Sequence, residues 1–253
     1  MRSRYPSSSG FAYSFGPGPL TPAIKALVVA NVALFLIDWI AQGALRRPFG
    51  LSPEDVVEQL RLWQPFTYMF LHAGIFHILF NMLALWMFGV ELERMWGSRF
   101  FVKYYFVCGA GAALTTMVLA FTPFGFASQL YSSLTIGASG AVYGILLAYA
   151  LYFPDRPIYM YLVFPIPAKY FVMIIGAISL LSSTGGPGGG VAHTTHLGGL
   201  VAGYLYLKGL KGGRLRVMSE LKYRYLKWRI NRMRRKFDVY SGGRADDVDR
   251  RVH

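Results

Sequence analysis

Residues 137–152 read Gly-Ala-Ser-Gly-Ala-Val-Tyr-Gly-Ile-Leu-Leu-Ala-Tyr-Ala-Leu-Tyr. Ser139 stands between Gly137 and Gly140, both expected to pack helices at the site, and Gly144 and Ala148 continue a face of small residues at four-residue steps. A second apolar stretch downstream holds His196 in Thr-Thr-His-Leu-Gly-Gly and carries Gly199 and Gly203. Hydrocarbon offers a polar side chain no hydrogen bonds, so an imidazole at membrane depth is a candidate functional group. Both stretches contain a GxxxG pattern, Gly140 to Gly144 and Gly199 to Gly203, which lets two helix backbones approach closely. One such pattern indicates only packing. Two of them, each beside a potential catalytic group, offer the close approach that a Ser–His hydrogen bond of about 3 Å requires. The pairing points to acyl transfer inside a bilayer, against the blander reading of two polar groups separately satisfied in a helical bundle.

Composition agrees with a membrane setting. Hydrophobic residues make up 54% of the 253 and charged residues only 15%, which fits a polytopic all-α membrane protein better than soluble domains. The net charge of +14 comes largely from residues beyond Leu207, including Lys208, Lys211, Arg214, Arg216, Lys222, Arg224, Lys227 and Arg229. This cluster directly follows an apolar stretch, so contact with anionic lipid on the cytoplasmic side is the expectation. No aromatic-stacking or groove-reading motif supports nucleic-acid binding. The single cysteine, Cys108, lies in an apolar run and reads as a small buried hydrophobe.

Segments of about 20 apolar residues are sought as spans. Six are found, at 22–41, 66–90, 101–121, 133 to just before Pro154, 168–181 and 191–207. An even number puts both termini on one side. Arg2, Arg4, Arg94, Arg99, Lys103, Arg156, Lys169 and the basic tail fall on one set of loops. The other set holds Arg46, Arg47 and Arg61 in one long loop, and no Lys or Arg at 122–132 or 182–192. Both termini are therefore expected in the cytoplasm. Residues 1–21, rich in Gly, Ser and Pro, are expected to form a disordered tail. Residues 22–209 form the membrane domain, and 210–253 a basic tail with an amphipathic helical stretch at 214–237.

In the long loop, Ser52-Pro53-Glu54 is a helix-start signal, with Val56, Val57 and Leu60 as a short apolar face suited to the interface. In the second span, His77 and Asn81 lie four residues apart and share one helical face. Both can donate hydrogen bonds toward one point, as an oxyanion formed by attack of Ser139 needs, and the Ser139 N–H at a helix start can add a third. His72, His77, His193 and His196 also raise a zinc reading. No carboxylate or thiolate accompanies them, and the 72/77 spacing does not share a face, so no metal is expected.

The chain resembles the rhomboid intramembrane serine proteases, in the basic six-helix form found in bacteria. The resemblance rests on Trp63-Gln-Pro-Phe-Thr-Tyr-Met-Phe-Leu-His72, His77-Ile-Leu-Phe-Asn81, Gly89-Val-Glu91 through Gly97, Gly137-Ala-Ser-Gly-Ala-Val-Tyr-Gly144 and His196-Leu-Gly-Gly-Leu-Val-Ala-Gly203, in this order. It implies a six-transmembrane-helix bundle of the rhomboid type and a Ser139 nucleophile with His196 as general base, with no third acid. It further implies an oxyanion hole of His77, Asn81 and the Ser139 N–H, and Tyr143 packed on the His196 ring. No cofactor is implied. The substrates implied are single-span or polytopic membrane proteins, entering sideways beneath a cap at 182–190. Asp38 reads as interfacial, and His193 remains a rival base. Gln64 departs from the family, where many members have Arg, which bears on how the long loop is anchored. A catalytically silent rhomboid relative acting in membrane-protein binding or quality control is the alternative; it would normally lack Ser139 or His196. A transporter would want an inverted repeat and midplane charges, neither of which is seen.

Overall fold

The computed structural model describes residues 16–123, 125, 127–160, 164–183 and 190–209. The expected tails at 1–15 and 210–253, with the amphipathic stretch at 214–237, lie outside the described residues, as does most of the glycine-rich cap, at 184–189. One compact unit ends at Tyr206 and a second begins at Leu207.

The described residues form ten α-helices, a short 3-10 helix at Tyr68–Phe70 and one hairpin. The long helices are α1 (Pro22–Ile40), α5 (Ile75–Trp96), α6 (Ser98–Ala120), α8 (Ser139–Tyr152), α9 (Ala168–Ser183) and α10 (Gly190–Gly209). Short helices α2 (Arg46–Phe49), α3 (Pro53–Glu58) and α4 (Gln64–Thr67) lie between α1 and α5, and α7 (Ala127–Tyr131) follows α6. Strands β1 (Pro157–Met160) and β2 (Phe164–Pro167) pair antiparallel between α8 and α9. Among the described residues α1, α5 and α6 have the length and hydropathy to cross a membrane, while α8 and α9 are shorter apolar helices. The fold is all-α and polytopic, the hairpin being a small addition.

Helix α8 is the centre of the bundle. Gly140, Ala141, Val142, Gly144, Ile145, Leu146, Ala148, Tyr149 and Ala150 are buried, on every side of the helix, as expected of a helix without a polar face. Around it, α1, α5 and α9 turn large apolar side chains outward, among them Val29, Leu36, Phe76, Phe80, Met173 and Leu181. So large an apolar surface suits lipid rather than water. The start of α1 has no acidic residue of its own. Instead Glu93 of α5 accepts the Ala23 and Ile24 N–H groups at 2.8 and 3.0 Å, and is bonded also by Ser98 at 2.6 Å and by Thr21. A carboxylate at a helix N-terminus satisfies free N–H groups and complements the dipole. It pins α1 to α5.

The long loop is a folded unit held by ions and amides. Asp55 is buried and receives Arg47 at 2.8 Å and Arg61 at 3.1 Å. Ser52 caps α3 as its sequence implies, its Oγ accepting the Asp55 N–H. The expected apolar face does not form: Val56 points inward, Val57 is exposed, and Leu60 lies beyond the end of the helix at a positive φ of 54°. Gln64 is fully buried, accepting the Ser52 N–H at 2.9 Å and donating to the Arg47 carbonyl at 3.2 Å, so it anchors the loop to itself. Asp38, expected at the interface, is buried and paired with Arg46 at 2.8 Å.

Two span starts differ from expectation by more than one turn. The second span begins at Ile75 rather than near residue 66: Pro65 opens a separate four-residue helix, and Gly74 in extended conformation precedes α5. The fourth begins at Ser139 rather than near 133, because Thr135 pairs its backbone with Leu51 at 2.8 and 2.9 Å. That bridge and the Gly137 N–H, which donates to the Tyr68 carbonyl at 2.9 Å, hang the approach to Ser139 on the long loop.

Candidate active site

Ser139 is the first residue of α8, where N–H groups lack intrahelical acceptors. His196 lies two turns into α10. Ser139 Oγ and His196 Nε2 are 2.8 Å apart, in hydrogen-bond contact. What brings them together is the absence of side chains between their helices. A Cβ added at Gly199 would overlap the Gly140 carbonyl, and one at Gly203 would come 3.2 Å from the Gly144 Cα. A Cβ at Gly144 would overlap Cys108 and lie 3.2 Å from the Gly199 carbonyl. Cys108 is thus a buried filler of the seam. A third helix joins it: Thr116 of α6 bonds Thr195 at 2.8 Å, and a Cβ at Gly198 would lie 2.7 Å from Thr115.

Gly137 serves differently from the expected helix-packing role. It precedes the helix, with φ of 125°, a conformation that favours glycine. A Cβ there would lie 2.6 Å from His77 Nε2 and 3.8 Å from Ser139 Oγ. Its missing side chain therefore opens the space between that imidazole and the serine. The His77 Nδ1 accepts the Ala73 N–H at 3.2 Å, which puts the ring proton on Nε2, facing that space. Asn81 is buried on the same face of α5; its Nδ2 donates to the His77 carbonyl at 2.8 Å and keeps a second hydrogen.

Tyr143, one turn beyond Ser139, stacks on the His196 ring with centroids 4.2 Å apart and planes at 11°. The His196 Nδ1 is buried with no hydrogen-bond partner among the described residues. His193 meets His196 edge-on at 5.8 Å, and His72 meets His77 edge-on at 5.0 Å.

A family model described as the Rhomboid domain matches residues 59–211, well over half of the chain. The chain belongs to the rhomboid family. It is an integral membrane protein. It is similar to Rhomboid protease AarA of Providencia stuartii, 30% identical over 211 residues that cover 76% of this chain and 73% of that protein. Rhomboid protease GluP of Bacillus subtilis (strain 168) is 33% identical over 161 residues, 62% of this chain and 27% of its own length. RHOMBOID-like protein 12, mitochondrial, of Arabidopsis thaliana is 27% identical over 203 residues, 76% of this chain and 60% of its own. The chain thus spans less than two thirds of those last two relatives.

In this rhomboid-family chain Ser139, His196, Tyr143, His77 and the glycines at 137, 140, 144 and 199 come together through these contacts; Asn81 stands one turn beyond His77 and Gly203 one turn beyond Gly199, against Gly144. Sequence reading missed Ser179 of α9, which is buried and bonds the Tyr143 hydroxyl at 3.2 Å, and the Thr116–Thr195 pair. Ser179 carried a faint signal, as a polar residue inside an apolar helix.

Proposed function

We propose that the protein is an intramembrane serine endopeptidase that cleaves transmembrane segments of other membrane proteins near the outer face of the bilayer. The observation that carries this reading is the 2.8 Å contact between Ser139 Oγ and His196 Nε2 across a glycine seam. Ser139 attacks the scissile carbonyl while its proton passes to His196, which then protonates the leaving amine; water repeats the sequence to release the acyl group. The oxyanion accepts hydrogen bonds from the Ser139 N–H, His77 Nε2–H and the second Nδ2–H of Asn81. With no acceptor on Nδ1 among the described residues, the stacked Tyr143 orients the ring, and the unit works as a dyad.

All six long helices cross the membrane, with both termini cytoplasmic. The Lys and Arg distribution supports this orientation, and the bacterial relatives support a bacterial plasma membrane. The basic tail lies on anionic lipid. Helix α8, at 14 residues, is about 21 Å long against a hydrocarbon core of about 30 Å. With Tyr152 at the cytoplasmic interface, Ser139 sits below the outer one. Irregular backbone at that depth is tolerated where it lines a wet cavity, which hydrolysis requires.

The test is cleavage of a single-span model substrate by protein purified in detergent, with a fluorophosphonate probe in parallel. Ser139→Ala and His196→Ala are expected to abolish cleavage and labelling, and His193→Ala to keep most of both. Undiminished cleavage by Ser139→Ala overturns the assignment, and an exchange of the two histidine phenotypes overturns the choice of base. A wild-type protein that neither cleaves nor labels is the silent binding relative.

A further inference from the structure

Ala168, Val172 and Ser179 are the buried residues of α9, while Tyr170, Met173, Ile174, Ile178, Leu180 and Leu181 face outward. The seat of this helix on the bundle is a narrow stripe, and one of its three members is polar. A hydroxyl buried in a membrane bundle needs a partner. Ser179 finds it in the Tyr143 hydroxyl, to which its Oγ donates at 3.2 Å. That hydroxyl lies on the long axis of the tyrosine ring, so the bond fixes where the axis points. The same ring lies flat on His196 at 4.2 Å, and His196 in turn reaches Ser139 at 2.8 Å. In a triad a carboxylate on Nδ1 holds the imidazole in place. Here Nδ1 has no partner among the described residues; the ring lies flat on Tyr143, and His193 meets it edge-on.

We propose that Ser179 is a positioning residue: by tethering the Tyr143 hydroxyl it fixes the plane on which His196 lies, and so makes the seating of α9 a condition for Nε2 to face Ser139. This rests on the reading of Ser139 and His196 as nucleophile and base. The dyad is then sensitive to α9 through Tyr143, the residue of α8 that Ser179 bonds. Loss of the tether leaves the active-site groups present but loosely aimed.

Ser179→Ala, Tyr143→Phe and the double variant, reconstituted with a single-span substrate in vesicles of fixed lipid composition, test this. Each single change is expected to lower kcat by about 3-fold to 10-fold, the range of one neutral hydrogen bond, with KM unchanged. The double variant is expected to be no slower than the slower single one, because both remove the same bond. Fluorophosphonate labelling of Ser139 is expected to slow by the same factor; the small probe needs no entry of a helix, which separates aiming of the dyad from access. An unchanged kcat, a loss confined to KM, losses that multiply in the double variant, or unaltered labelling overturns the proposal. If Ser179→Ala does not survive purification, Tyr143→Phe removes the bond from the other end and must meet the same criteria. A wild-type protein that neither labels nor cleaves overturns the dyad reading instead, and is scored before any variant.

Discussion

Helices α9 and α10 both lean on α8, and they do so in opposite ways. Between α10 and α8 there is almost no side chain: Gly199 meets the Gly140 carbonyl, and Gly203 meets Gly144. Between α9 and α8 the contact is made by side-chain tips, Ser179 against Tyr143 above all. Backbone-to-backbone packing cannot be relieved by rotating a rotamer, so it fixes the register of whatever side chains flank it. A seat of side-chain tips leaves a helix room to shift. The serine and histidine that must meet within hydrogen-bond range stand on the first kind of interface. The aromatic ring that only has to lie against one of them is tied to the second.

The sharpest way to break this contrast is Gly199→Val. Its branched side chain has nowhere to go but into the Gly140 carbonyl, so the helices must separate by an ångström or more and Nε2 leaves the reach of Oγ. Cleavage is expected to fall by at least ~100-fold, the scale of such misplacement. The melting temperature in detergent is expected to fall with it, because van der Waals packing is the main force between membrane helices. Full activity at an unchanged melting temperature would mean that no close-packed seam exists.

A smaller effect is expected on the third side of the site, where α5 contributes groups without contributing to the seam. His77→Ala and Asn81→Ala are each expected to slow turnover by about 10-fold to 100-fold, since two donors to the oxyanion survive either change. Both should leave the melting temperature close to wild type. A thermal loss that accounts for the whole fall in activity would make these residues structural.

How much of this was legible depends on the range of the interaction. The six apolar segments and the GxxxG faces follow from local spacing, and those faces, standing beside Ser139 and His196, point to a pairing across 57 residues that the structure brings to 2.8 Å. Hydropathy, however, records composition and not where the backbone breaks. The run from residue 66 looks continuous with α5, although Gly74 in extended conformation divides it, and the start of α8 is misplaced because the Thr135–Leu51 bridge joins residues 84 positions apart. The hairpin of β1 and β2 was missed: Pro157, Pro165 and Pro167 obscure a strand pattern, and four-residue strands leave little periodicity. Gly137 was read as a packing glycine because its positive φ is a property of the turn, which the flanking sequence does not declare. Ser179 has no such face beside it to point across the 36 residues that separate it from Tyr143.

The mildest test uses one chemical change at two glycines. Gly176 of α9 and Gly199 of α10 both sit within helices. A Cβ at Gly176 would meet only the Leu200 Cδ1, at 3.5 Å, an ordinary contact. Alanine in a helix is favoured over glycine by roughly 0.5–1 kcal/mol, because it has less backbone freedom to lose. Gly176→Ala is therefore expected to leave cleavage unchanged and to raise the melting temperature by about 1–4 °C. Gly199→Ala carries the same propensity gain, yet its Cβ enters the Gly140 carbonyl, so its net effect should have the opposite sign in both readouts. Melting curves of the two single variants beside wild type decide the matter. Two alanine variants that behaved alike would show that α9 and α10 are seated on α8 in the same way, and the distinction between a fixed and a yielding neighbour would fail.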